Sequence, residues 1–330
     1  MTGTVRPMAT AAGGGRLGPS PPREESTVRI LVTNDDGVGS AGLHALARAV
    51  VEAGHEVRVV APSEDMSGSS AAIGQVHLDR SIDARPVELP GLDGVPAYAL
   101  DGPPGLCVLA DRIGGFGEPS EMVLSGVNPG ANTGRAVLHS GTVGGALTGA
   151  NFGVSGLAVS IAVPSGLAHE ATTVPARDDG AVAEVVGSPV GAREGAGRDR
   201  GLPEHWDTAA RIAASLVGWL ADAPRCTVLN VNVPDRPVAD IEGVRTARLA
   251  PFGSVRTRVV ESAADGGRLQ LEMRPTGDEL PPDCDTALVR AGFVTVTPIT
   301  GVHLDESVDV RVALAVVEDL AGRAAARGGR

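Results

Sequence analysis

Ile30-Leu31-Val32-Thr33-Asn34-Asp35-Asp36-Gly37 is the stretch that decides the fold class. From Val28 to Thr33 the run is short, apolar and rich in β-branched residues. A strand wet on one face would alternate polar and apolar positions, so this run reads as a strand covered on both faces, the kind that builds a parallel sheet. It stops abruptly at an Asn-Asp-Asp-Gly turn. Beyond the turn, Ser40 is placed to cap a helix reaching about Ala53, with Leu43, Leu46, Ala47 and Val50 on one face. Gly54 stops that helix, and Glu56 to Val60 begins a second strand. A strand, a helix and a parallel strand make one right-handed crossover unit.

The same alternation continues through the chain. Met122 to Leu124 reads as a strand followed by a glycine-rich turn, Thr142 to Asn151 as a helix and Leu157 to Ile161 as a strand. Trp206 to Ala221 and Thr227 to Val233 form the next helix and strand. The expectation is a Rossmann-like, three-layer α/β/α fold with a mainly parallel sheet, a small β appendage and a C-terminal helix. Residues 1–26, with Gly13-Gly14-Gly15 and a proline cluster from Pro19 to Pro22, read as a disordered leader. The core spans 27–240 and carries a long loop insertion at about 164–203, where Gly, Pro, Asp and Arg replace any periodicity. Residues 241–303 read as the extended appendage and a return strand. Residues 304–330 read as the C-terminal tail, with an amphipathic helix over Asp305 to Arg323.

Composition narrows the chemistry. The 330 residues include no lysine, so all 28 basic side chains are arginine. Schiff-base chemistry and a Walker-type phosphate loop, both of which need a lysine, are thereby excluded. A net charge of −12 argues against stable binding to nucleic acid or an anionic membrane, and any anionic substrate must be held by local groups. Cys107, Cys226 and Cys284 are too few and too scattered for a disulfide framework. With neither a signal-peptide core nor an apolar run long enough to cross a bilayer, the sequence predicts a cytoplasmic protein.

Four motifs lie directly after strands or at helix starts, where ligands of open parallel sheets bind. Asp35 and Asp36 repel one another unless a proton or cation intervenes, and Mg²⁺ or Mn²⁺ accepts such hard oxygen ligands. The bland reading of the pair is a helix-capping turn. Ala61-Pro62 with Ser67-Gly68-Ser69-Ser70 follows the second strand and offers hydroxyls, or else a plain polar loop. In Ser125-Gly126-Val127-Asn128-Pro129-Gly130-Ala131-Asn132-Thr133-Gly134, Asn128 offers a carbonyl oxygen and the glycines allow close backbone approach. His139-Ser140-Gly141-Thr142 opens a helix whose free N–H groups can hold an anion without lysine. His139 is an acid/base candidate beside that turn, weighed against an ordinary packing role. Replacing Gly141 with Val is expected to weaken phosphate binding with little change in metal affinity.

Ile30 to Gly37, Ser125-Gly126-Val127-Asn128 and Ser140-Gly141-Thr142-Val143 together resemble the stationary-phase survival protein SurE family, metal-dependent 5′- and 3′-nucleotidases. Leu229 to Pro234 and Gly292 to Pro298 add weaker similarity, and the likeness runs from about Val28 to Leu320. The resemblance implies a phosphomonoesterase that releases nucleoside and phosphate from nucleoside monophosphates. Asp35, Asp36, Ser67 and Asn128 would hold one divalent cation per subunit, Mg²⁺ or Mn²⁺. The catalytic carboxylates would be Asp35 and Asp36. Gly37, Asn132, Ser140, Gly141 and Thr142 would hold the phosphate of a small phosphorylated substrate, in a homodimer or homotetramer. The nucleophile, water or Asp35, is left open. This chain departs from the family where Met66 replaces an arginine, Ala136 an aspartate and Thr148 a glutamate, and where Pro103-Pro104-Gly105-Leu106-Cys107-Val108 lacks the usual aspartate. Those departures motivate two rivals: a phosphatase of a sugar phosphate or specialised-metabolite intermediate, and a non-catalytic homologue that binds metal and nucleotide.

Overall fold

The computed structural model describes residues 27–74, 81–163, 202–251, 255–261, 270–275 and 279–302. The expected leader, nearly all of the insertion and the C-terminal helix lie outside the described residues.

The first strand, β1 (Arg29–Thr33), explains its own composition. Ile30 and Val32 point into one apolar layer with Leu43, Leu46, Ala47 and Val50 of helix α1 (Ala41–Glu52) and with Ala209, Ala210 and Ala213 of helix α4 (Trp206–Ser215). Leu31, one residue out of phase, packs in the opposite layer with Leu106, Cys107 and Val108 of helix α2 (Pro104–Arg112). Successive strand side chains face opposite ways, so a strand with helices on both sides must be apolar at every position. Leu43, Leu46 and Val50 are fully buried, each contributing about 1.5–3 kcal/mol. Leu46→Ala would cost about 2–5 kcal/mol through the cavity it leaves.

Around β1 stand β2 (Glu56–Pro62), β3 (Ala84–Pro86), β4 (Ala97–Leu100), β5 (Met122–Pro129), β6 (Ser155–Ala162) and β7 (Val228–Pro234). With β8 (Gly243–Thr246) and β11 (Phe293–Ile299) they form one sheet in the order β3-β4-β2-β1-β5-β6-β7-β11-β8. The run β4-β2-β1-β5-β6-β7 is parallel throughout, whereas β3 and β11 run antiparallel to β4 and β7. The chain builds outward from β1 to β2 and β4, then returns to β5 and builds the other way through β6 and β7. The reversal falls between β1 and β5, and a crevice opens at such a point beyond the carboxyl ends of the two strands. The fold is therefore Rossmann-like α/β, as expected.

Several elements differ from the expectation. The strand at Met122 does not end at Leu124 in a turn; it continues to Pro129, with a register shift between Ser125 and Asn128. Gly126 makes this possible, because a Cβ there would lie 2.2 Å from the Val159 carbonyl oxygen of β6. Its glycine signals close approach of a neighbouring strand as well as a bend. The helix expected over Trp206 to Ala221 is two helices, α4 and α5 (Val217–Asp222), separated where Leu216 N–H donates to the Ala213 carbonyl in a tighter turn. The stretch expected as an appendage divides. β8 and β11 join the main sheet, while β9 (Val255–Glu261) and β10 (Gln270–Pro275) pair antiparallel as a separate two-stranded sheet. Between them and β11 lies α6 (Asp285–Arg290), too short for periodicity to show. Helix α3 (Gly141–Asn151) packs beside α2 on the face opposite α1 and completes the three layers.

Candidate metal and phosphate site

Directly past β1, at the reversal, come Asn34, Asp35, Asp36 and Gly37. The Asn34 amide fixes this turn by donating to the Gly37 carbonyl at 3.1 Å and to Ser40 Oγ at 2.7 Å. Ser40 in turn caps α1 by accepting from Leu43 N–H, so the helix start and the acidic turn are held as one unit. Gly37 sits at φ +95°, which a side chain would strain.

Asp35 is 4% exposed, and its Oδ1 accepts from Thr142 Oγ1 at 2.5 Å. Asp36 Oδ2 is buried without a hydrogen-bond partner. Burial is the main cause that lifts both carboxyls above the ordinary range. The Thr142 bond opposes it at Asp35, whereas the charges of Asp35 and Asp65 add to it at Asp36, which is pushed up to about 8. An unmatched oxygen on a desolvated carboxyl, beside a second carboxyl, is costly unless a proton or a hard cation compensates.

The loop after β2 brings hydroxyls to this turn. Met66 N–H donates to the Asp35 carbonyl at 2.7 Å, which places Ser67 beside the acidic residues. Ser67 N–H and Oγ–H both donate to Asp65 Oδ1, at 2.8 and 2.6 Å, leaving the serine lone pairs as acceptors. Asn128, near the end of β5, donates through Nδ2 to the Gly130 carbonyl at 2.6 Å, leaving its Oδ1 as a carbonyl-type ligand. Two carboxylates, a hydroxyl and an amide oxygen suit a hard cation such as Mg²⁺ or Mn²⁺. Among the described residues no set of three or more His, Cys, Asp or Glu side chains forms a metal cage.

The start of α3 closes against the carboxylates. Ser140 Oγ accepts from Val143 N–H at 3.1 Å. A Cβ on Gly141 would lie 2.7 Å from both Asp35 Oδ2 and Ser69 Oγ. The anion cradle and the acidic turn are thus in contact, which corrects the expectation that a side chain at 141 would spare metal affinity: it would displace Asp35. His139 is exposed at the end of the short 3₁₀ turn Gly134–His139.

Asn132 is 1% exposed and belongs to a polar network. Its N–H donates to Asn232 Oδ1 at 2.8 Å and its amide to Ser160 Oγ at 2.8 Å, while its carbonyl accepts from Asn230 and Asn232 at 2.8 and 3.0 Å. These bonds anchor the Asn132 loop to β6 and β7. Asn230 and Asn232 were missed as site residues, although polar residues at alternate positions of an apolar strand signal a buried network. Asp65 was also passed over, and only adjacency to Ser67 could have pointed to it, whereas Ser69 belongs to the hydroxyl-bearing loop that the sequence already marks. The unusual residues are absorbed by packing: Leu106 joins the α2 core, Ala136 is buried, and Thr148 Oγ1 donates to the Gly144 carbonyl at 2.7 Å.

With this geometry, comparison with known proteins is decisive. A family model described as Survival protein SurE matches residues 30–253. The chain belongs to the SurE family. A 5′-nucleotidase SurE of Stenotrophomonas maltophilia (strain K279a) is 33% identical over 276 residues, covering 82% of this chain and 89% of the relative. One from Xanthomonas campestris pv. campestris (strain B100) is 34% identical over 282 residues, covering 84% and 90%. The crystal structure of the SurE protein from Aquifex aeolicus superimposes with a TM-score of 0.61 at 24% identity, covering 88% of this chain and 99% of that one, and supports the shared fold. The SurE family match ends at residue 253, so it takes in the acidic turn, the serine loop, Asn128 and the start of α3.

Proposed function

We propose that this SurE-family chain is a metal-dependent phosphomonoesterase that hydrolyses nucleoside monophosphates to nucleoside and phosphate. The relatives carry the name 5′-nucleotidase. The single observation that carries the reading in this chain is the contact between Gly141, at the opening of α3, and Asp35, which brings an anion cradle against a desolvated carboxylate pair.

Asp35, Asp36, Ser67 and Asn128 would hold one divalent cation, Mg²⁺ or Mn²⁺, per subunit. When bound, the cation supplies Lewis-acid polarisation of a phosphoryl oxygen. The N–H groups of Gly141 and Thr142 and the turn at Gly37 would orient the phosphate, with Ser140, whose own N–H donates to the Val137 carbonyl at 3.3 Å, capping the α3 start that favours negative charge. Thr142 Oγ–H holds Asp35 in place, so the carboxylate and the cradle move together. Asn132 orders the loop between Asn128 and that cradle. His139 is the proposed proton donor to the leaving oxygen, working from the exposed rim of the site. The same reading places the chain in the cytoplasm as a homodimer or homotetramer. No helix among the described residues is long and apolar enough to cross a membrane.

The test is a hydrolysis panel with Mn²⁺: nucleoside monophosphates, sugar phosphates and a generic aryl phosphate. Nucleoside monophosphates should be the best substrates, and activity should vanish with a chelator. A preference for sugar phosphates would move the substrate class, and no turnover of any ester would make the chain a binder.

A further inference from the structure

Between Asn128 and the start of α3 the chain depends on a carboxylate from far along the sequence. Asp285 opens α6 and is fully buried. Its Oδ2 accepts from Gly134 N–H at 2.8 Å, and its Oδ1 from Ala250 N–H at 3.0 Å and Thr286 N–H at 2.7 Å, with Thr286 Oγ1 at 3.4 Å. The buried carboxyl is held only by uncharged donors, three peptide N–H groups and the Thr286 hydroxyl, and an apolar residue in its place would leave those peptide groups without a partner. What the carboxylate provides is direction, because it clamps two separate backbones at fixed positions.

One of those backbones leads into the cradle. Gly134 opens the turn Gly134–His139, and His139 adjoins Ser140, the cap of α3. The same loop is tied by Asn132 to β6 and β7 and by Ser70 Oγ, which donates to the Leu138 carbonyl at 2.7 Å. We propose that Asp285 is a positioning residue for phosphate: through Gly134 N–H it sets the course of residues 134–140 and so the aim of the Gly141 and Thr142 amides. This rests on the reading of those amides as the phosphate cradle.

Asp285→Asn isolates the effect. Two backbone donors face Oδ1 and one faces Oδ2, so the single amide oxygen will take the Oδ1 place and turn its NH₂ against Gly134 N–H. In the full-length chain, Asp285→Asn should bind Mn²⁺ within about 2-fold of the parent. At saturating Mn²⁺ its affinity for inorganic phosphate should fall at least about 10-fold, with KM for a nucleoside monophosphate rising more than kcat falls. Leu157→Ala, a core cavity away from the loop, should show no such split. Equal losses of Mn²⁺ and phosphate affinity in Asp285→Asn, no loss of either, or the same split in Leu157→Ala would overturn the assignment. Should the variant not fold, amide hydrogen exchange of the parent decides: Gly134 should exchange more slowly than Arg135, and more slowly again with phosphate and Mn²⁺. Exchange of Gly134 as fast as that of Arg135 overturns it. If the parent chain binds no phosphate with Mn²⁺ while Gly134 is protected, the cradle reading fails rather than the Asp285 clamp.

Discussion

Asp36 and Asn132 occupy the same edge of one sheet, yet folding treats them in opposite ways. Asn132 donates through its peptide and its amide and accepts through its carbonyl, all to residues of β6 and β7. Asp36 keeps a buried oxygen with no hydrogen-bond partner and a carboxyl pushed up to about 8. The peptide groups and side-chain amide of Asn132 are thus satisfied by the fold itself, and those bonds add to stability. The acidic turn is completed by a proton or a cation, and its polar groups subtract from stability until one is bound. Such a division separates the part of a site that sets shape from the part that does chemistry.

The largest effect should come from removing a carboxylate. Asp35→Ala or Asp36→Ala should lower Mn²⁺-dependent phosphatase activity by well over about 100-fold, beyond what losing a ligand's supporting partner costs. The metal-free variant should melt no lower than the parent. An active Asp36→Ala enzyme with unchanged metal dependence would break the comparison at its acidic end.

Gly141→Ala sharpens it where the two halves touch. Because the added methyl would press on Asp35 Oδ2 and Ser69 Oγ, Mn²⁺ and phosphate affinity should fall together, each about 10-fold or more, as a displacement near 1 Å in a site can cost. A loss confined to phosphate would mean that the carboxylate yields without cost.

A smaller and slower signature lies in pH. Asp36 holds its proton up to about 8 in the folded metal-free chain, against 3.8 when unfolded. Between those values the folded state binds more protons, so its stability must fall as pH rises from about 4 to about 8. Denaturant midpoints measured across that range should decline without metal. Saturating Mn²⁺, which requires the ionised carboxyl and releases its proton, should flatten the decline. A metal-free stability that rises through the same range would contradict the assignment of the buried carboxyls.

How much could be read in advance follows the same line between local and distant causes. The β1 run, the Ser40 cap and the Asn-Asp-Asp-Gly turn are each dictated by neighbours in the chain, and sequence suffices for them. Gly126 reads in the sequence as a turn glycine that allows close approach, but that the approaching group is the Val159 carbonyl of β6 leaves no trace beside it. Gly141 was legible as a cradle residue but not as the residue on which Asp35 rests. Asp285 lies 151 positions from Gly134, and nothing in the Asp-Cys-Asp-Thr segment marks it as anything but a helix start. Elements of three to six residues, such as β3, β4 and α6, are too short for hydrophobic periodicity and form because the sheet and its layers accept them.

In a lysine-free chain of net charge −12, a cation that offsets the two aspartates favours phosphate beside them, so metal and phosphate binding should be linked. The most direct test is calorimetric titration of inorganic phosphate into the chain with and without Mn²⁺. The expected result is phosphate binding that depends on Mn²⁺, with each ligand tightening the other by the same factor. Equal phosphate affinity in the metal-free protein would contradict the account.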